Sequence, residues 1–152
     1  PRHELAAART ALVPGGLLLI EVPDPERSWA RRAGRYWGPW LQPQHQHFVP
    51  IDNLCAELTE QGFTVIGRER GEAHQPVDYS SFVGMLSQDL APLPDKPWLP
   101  PSTPAQRAGR LAVLGASLPL LAAAYVADLV LSPILRDRPG GSNTYRVLAR
   151  RD

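Results

Sequence analysis

The chain has 152 residues, enough for one domain with a modest core, and its 43% hydrophobic and 20% charged content is ordinary for a folded domain. A formal net charge of +1 provides no broad basic field, so nucleic acid is excluded as the expected partner. Cys55 is the only cysteine, which rules out an intrachain disulfide or a cysteine-based zinc site and fits a reducing cytoplasm.

The chain starts at Pro1 rather than Met and reads as a piece of a longer protein. Residues 3–12 predict a helix, apolar at Leu5, Ala8 and Leu12 and stopped by Pro14-Gly15-Gly16. Its alanine content and the internal Arg9 do not fit a signal peptide. Residues 17–22 are apolar throughout except for Glu21. Such a run after a glycine pair predicts a strand buried on both faces, as in a parallel sheet. Pro23-Asp24-Pro25 ends it, and residues 26–36 read as a short helix or irregular turn. Residues 38–50 form a loop rich in Trp, Pro, Gln and His. Pro50 opens a helix that runs to about Gln61, with Ile51, Leu54, Cys55 and Leu58 at helical spacing and Gly62 at its C-terminal cap. Residues 63–70 predict a second strand, and strand, helix and strand at this spacing imply a right-handed parallel crossover.

Residues 72–103 are a long connection with a short helix over 79–90. The proline-dense stretch at 91–104 excludes a regular helix or a sheet interior. Residues 105–135 are strongly apolar, interrupted by Gly115, Pro119, Asp128 and Pro133. A turn at 137–141 leads to a final strand over 143–149, where Tyr145, Val147 and Ala149 alternate. Residues 111–135 are long enough to cross a bilayer, which takes about 20 apolar residues. Pro119, Asp128, Pro133 and the need for the chain to return to its sheet argue against a span. A helical hairpin, or a helix broken or bent near Pro119, is expected instead, with peripheral membrane contact through 111–135.

The segment from Leu12 to Pro23, carrying Pro14-Gly15-Gly16 before a buried strand, resembles the fifth-strand region of class I S-adenosylmethionine-dependent methyltransferases. Gly34-Arg35-Tyr36-Trp37, His45-Gln46-His47-Phe48-Val49-Pro50 and the helix ending at Gly62-Phe63 follow that family in order and spacing. They are most similar to its branch of ubiquinone-type O-methyltransferases and sugar or polyketide methyltransferases. The closing Asn143 to Arg150 resembles the seventh strand. The resemblance implies an α/β fold: the C-terminal part of a Rossmann-like class I methyltransferase sheet, with a helical apolar insertion before the last strand. That strand is expected antiparallel between the other two. Residues 1–71 and 142–152 would form the C-terminal part of the methyltransferase domain, with 72–141 as the proline-rich loop and insertion. Two features depart from the pattern. Val49 stands where the family has a helix-capping Ser or Thr. The glycine-rich first loop and the acidic ribose ligand are absent from the chain, so the chain alone is not expected to hold S-adenosylmethionine.

Methyl transfer is a displacement at a sulfonium carbon, where the protein supplies orientation, a dry pocket and, for hydroxyl or carbon acceptors, a base. Imidazole suits that last task, and His47 and His45 lie in the loop after the first strand, at the edge where open α/β sheets bind ligands; His47 is expected as the acceptor-side base, with His45 as its matched control. The competing reading for each is a structural one, capping the next helix or bonding a loop carbonyl. Tyr36, Trp37 and Trp40 are candidates to wall an acceptor pocket, against a role pinning the loop to the sheet edge. Arg27, Arg31 and Arg35 recur every four residues and read as a solvated face rather than an anion grip. Glu21 and Asp24 stand at the strand end, with a turn role expected for Asp24. No third ligand accompanies the two histidines, so no metal site is expected. The resulting expectation is methyl transfer from S-adenosylmethionine to a small-molecule or lipid-linked acceptor, in a cytoplasmic, membrane-peripheral enzyme. The alternatives are a silent methyltransferase-like interaction module, or a membrane-associated protein that works through its apolar helix.

Overall fold

The computed structural model describes residues 1–40, 45–71, 77–93, 97–135, 138 and 140–152. Its elements in chain order are α1 (Arg2–Ala11), β1 (Leu17–Pro23), α2 (Ser28–Ala33), two 3-10 turns (Gly34–Tyr36 and Gly38–Trp40), α3 (Ile51–Glu60), β2 (Phe63–Arg70), α4 (Asp78–Leu90), α5 (Pro104–Leu135) and β3 (Thr144–Arg151). The turn expected at 137–141 lies partly outside the described residues.

The sheet has the order β1-β3-β2, and β3 runs antiparallel to both neighbours, as the resemblance implies for the last strand. Ile20 faces Val147 and Val22 faces Tyr145 on one side, and Phe63 faces Arg151 on the other. A register shift between Val65 and Gly67 marks a bulge in β2. Alternation assigns one sheet face to the core: Leu18, Ile20, Val22, Val65, Tyr145, Val147 and Ala149 pack against Leu5 of α1 and Ile51, Leu54 and Leu58 of α3.

Burial of β1 differs from expectation. Leu17 and Leu19 are 57% and 63% exposed, so the strand is covered on one face and not two. A continuous apolar run shows that both faces can be buried; only the packing of other elements decides whether they are. The helix termini follow local chemistry. Gly15 and Gly62 both have φ of +78°, the left-handed conformation that ends α1's turn and closes α3. Pro50 is the residue before α3 rather than its first residue, and no side chain caps that end. Thr103 and Gln106 form a reciprocal capping box at the start of α5, with Pro104 as its first residue.

The apolar segment forms one helix of 32 residues, not a hairpin or a broken helix, and it contains both Pro119 and Pro133. Each proline removes a single backbone bond and crowds one carbonyl. For Pro119 the crowded residue is Gly115, which carries no side chain. The remaining turns and the packing on α4 hold the helix through both sites.

Candidate functional site

The C-terminal end of β1 and the N-terminal start of β3 meet where Pro23 pairs with Thr144 and the Asp24 N–H donates to the Asn143 carbonyl at 2.9 Å. A cleft of about 320 Å³ opens at this edge, and Glu21, Pro23, His45, Asp78, Ser81 and Asn143 are among its walls. Segments distant in sequence build it: the end of β1, the turn at Gly38 and Pro39, the histidine loop, the start of α4 and the start of β3.

One wall is held by buried charge. Arg27 and Asp78 have side chains that are each 3% exposed, and Arg27 Nη2 donates to Asp78 Oδ2 at 2.8 Å. The Trp37 indole N–H donates to the other Asp78 oxygen at 3.2 Å. Burial raises the Asp78 carboxyl above its ordinary range, while Arg27 and Trp37 pull it down and the nearby charge of Asp128 adds to the rise. Asn143 is 6% exposed, and its Oδ1 has no hydrogen-bond partner among the described residues. The cleft therefore combines an imidazole, a carboxylate, a hydroxyl and an amide.

Residues 45–50 form neither helix nor strand, and His45 and His47 go to different places. His45 lines this cleft, whereas His47 lines a separate apolar cavity of about 330 Å³ between α1, α3 and the sheet, together with Leu5, Ile20, Leu54 and Tyr145. Tyr145 Oη donates to the Val49 carbonyl at 2.6 Å and so ties the histidine loop to β3. The aromatic candidates also divide. Trp37 is fully buried and packs with Ala30 and Ala33. Trp40 is partly exposed and sits against Phe48 at 4.1 Å and Trp37 at 5.1 Å between ring centroids, and His45 lies 6.4 Å from Phe48. Tyr36 lines a shallow groove beside α4, where its hydroxyl donates to Asp89 at 2.7 Å.

The arginines do not share one solvated face. Arg27 is buried against Asp78, Arg31 and Arg32 are exposed, and Arg35 pairs with Asp89 across its stack on Tyr36. Asp24 is fully buried, accepts the Glu26 N–H at 2.9 Å in a turn, and receives Arg70 Nε at 2.8 Å. Glu21 pairs with Arg146. Cys55 packs beside the core, and burial pushes its thiol up, which suits a packing residue rather than a nucleophile. Among the described residues, no three His, Cys, Asp or Glu side chains group as a metal site.

The described residues do not build a nucleotide cradle for S-adenosylmethionine. The two carboxylates at the end of β1 are both engaged by arginines, and no glycine-rich loop leads into a helix N-terminus beside them. What the edge does offer is a cleft with convergent polar groups. Asp78, Ser81 and Asn143 are site residues that sequence reasoning did not identify. Asp78 carried one usable signal, as an acidic residue in the first turn of a helix, which reads equally well as favourable helix-end charge.

The family model for a methyltransferase domain matches residues 1–67. The match falls on the N-terminal region of the chain and does not extend to β3, which the sequence resemblance had joined to the same domain. No curated protein matches the chain. The matched region holds β1, the histidine loop and α3, of which the first two contribute walls to the cleft, and over these residues the chain is similar to a methyltransferase domain.

Proposed function

We propose that this chain carries the acceptor side of a methyltransferase that methylates a small-molecule or lipid-linked acceptor. The observation that carries this reading is the cleft at the C-terminal end of β1, where His45 of the region similar to a methyltransferase domain meets Asp78, Ser81 and Asn143. Ligands of open α/β sheets bind at this edge. His45 is positioned on the cleft wall to take a proton from an acceptor hydroxyl or acidic carbon, and Asp78, fixed by Arg27 and Trp37, supplies a stationary negative charge beside it. S-adenosylmethionine is the methyl donor that the family implies, and its cradle lies outside the residues described.

We further read the three strands as the end of a Rossmann-like sheet. Two parallel strands with an antiparallel one between them support this, and so do the uncovered Leu17 and Leu19 on β1. The test is labelled methyl transfer by the protein that contains this chain, onto hydroxylated aromatic acceptors with and without a polyprenyl tail. A Cβ at position 38 would meet Ser81 across the cleft at contact distance, so Gly38→Leu fills that space. It should raise the acceptor KM by about tenfold and leave S-adenosylmethionine affinity unchanged. An unaltered acceptor KM would place the acceptor elsewhere.

A further inference from the structure

Helix α5 is assembled the wrong way round for water. Its most buried positions are Ala124, Asp128 and Ser132, spaced four apart on the face that packs against α4. Asp128 is fully buried and accepts the Tyr79 and Ser80 N–H groups at 2.8 and 2.9 Å and the Ser80 hydroxyl at 2.6 Å, so a carboxylate from α5 caps the start of α4. The opposite face carries Leu118, Leu120, Val126, Leu129, Val130 and Ile134, all between 47% and 61% exposed. A surface helix in water shows the reverse pattern, with its apolar stripe inward. The most apolar window of α5 has a mean hydropathy of 1.9 and is only 17% buried. A continuous apolar face of this extent marks an interaction surface.

Two features identify the occupant. Between Leu111 and Leu135 the only charged side chain is Asp128, which faces α4, while Arg107 and Arg110 stand at one end and the exposed Arg138 follows the other. An apolar strip with basic ends suits acyl chains flanked by anionic headgroups. Trp98, 75% exposed just before α5, and Tyr125 on it are residue types that settle at the membrane–water boundary. The orientation follows from what holds the helix. Arg110 Nη1 donates to the Pro92 carbonyl at 2.9 Å near the end of α4, and Asp128 caps the start of α4. Helix α4 is in turn fixed to the domain at both ends, by Arg27–Asp78 and by Tyr36–Asp89. Both ends of α5 therefore stay on the same side as the domain, which a crossing helix could not do.

We propose that the outer face of α5 lies in the headgroup–acyl boundary of an anionic lipid bilayer, with the helix axis in the membrane plane. This stands independently of the methyl-transfer reading. The test is flotation of the whole chain with phosphatidylcholine–phosphatidylglycerol vesicles, followed by a carbonate wash. The wild-type chain should float with the vesicles and be released by carbonate. Val126→Glu with Val130→Glu, both on the outer face, should lower partitioning by about tenfold or more with an unchanged circular dichroism spectrum and melting temperature. As a check that does not depend on that variant, Val130→Trp should gain fluorescence quenching by acyl-brominated lipid relative to wild type. Four results would overturn the proposal: no flotation, flotation indifferent to the double substitution, retention after carbonate, or no added quenching at position 130. A dimer that the double substitution dissolves, in a chain that ignores vesicles, would assign the face to a second copy instead.

Discussion

Arg27 and Asp78 form an ion pair of 2.8 Å with both side chains 3% exposed, and this pair joins the segment after β1 to the first turn of α4 at the wall of the cleft. Its geometry sets a first prediction. Arg27→Ala leaves a buried carboxylate with only the Trp37 indole as a donor, and should destabilise the chain by about 3–5 kcal/mol. Replacing both partners with apolar residues of similar volume, Arg27→Met with Asp78→Leu, should cost clearly less. Urea denaturation of the two variants against wild type measures both, and equal losses would show that the pair's desolvation is not the controlling term.

The same carboxylate gives stability a pH dependence of known sign. Burial raises the folded-state value of Asp78 above that of the unfolded chain, so the folded form holds this proton more tightly. Its titration favours folding below the ordinary carboxylate range, and that contribution is lost as pH rises through the folded value. The difference in unfolding free energy between wild type and Asp78→Asn should therefore move in favour of wild type as pH falls across this window. A difference that is flat with pH would show that Arg27 cancels the effect of burial.

Asp128 offers a test of long-range capping. Asp128→Ala removes the acceptor for two backbone N–H groups and one hydroxyl, and should cost about 2 kcal/mol. Hydrogen exchange at Tyr79 and Ser80 should accelerate far more than exchange in the middle of α3. Uniform acceleration would mean that α4 and the sheet unfold as one unit.

Tyr145 is buried at the junction of both readings of the histidine loop. Burial pushes its phenol well above the usual range, so it remains a donor to Val49 at every working pH. Tyr145→Phe should cost about 1–2 kcal/mol by leaving that carbonyl unsatisfied, and crosslinking or proteolysis should report a looser loop at 45–50. An unchanged melting temperature would show that water replaces the hydroxyl.

The sequence made the elements legible because their signals are local. Pro14-Gly15-Gly16 before an apolar run marked β1, Gly62 marked the end of α3, and the alternation of Tyr145, Val147 and Ala149 marked β3. What stayed hidden depends on partners far along the chain. Leu17 and Leu19 look like core residues until the packing leaves their face uncovered. Pro119 looks like a helix breaker, yet α5 runs through it as one helix. Asp78 and Asp128 read as isolated charges, because Arg27 and Ser80 lie 51 and 48 residues from them. The histidine loop was visible in the sequence, but sequence reasoning favoured His47 as the base, whereas His45 is the one that lines the cleft.

That last point is open to one direct measurement, which also tests the proposed methyl transfer. His45 lines the cleft and His47 lines the apolar cavity on the covered face of the sheet. Turnover, acceptor KM and S-adenosylmethionine affinity should be compared for His45→Ala and His47→Ala with a hydroxyl or carbon acceptor. The account predicts that His45→Ala lowers turnover by about a hundredfold with cofactor affinity held within about twofold, while His47→Ala keeps most of its turnover. Full turnover in His45→Ala, in a variant that remains folded, would contradict the assignment of this cleft to the acceptor.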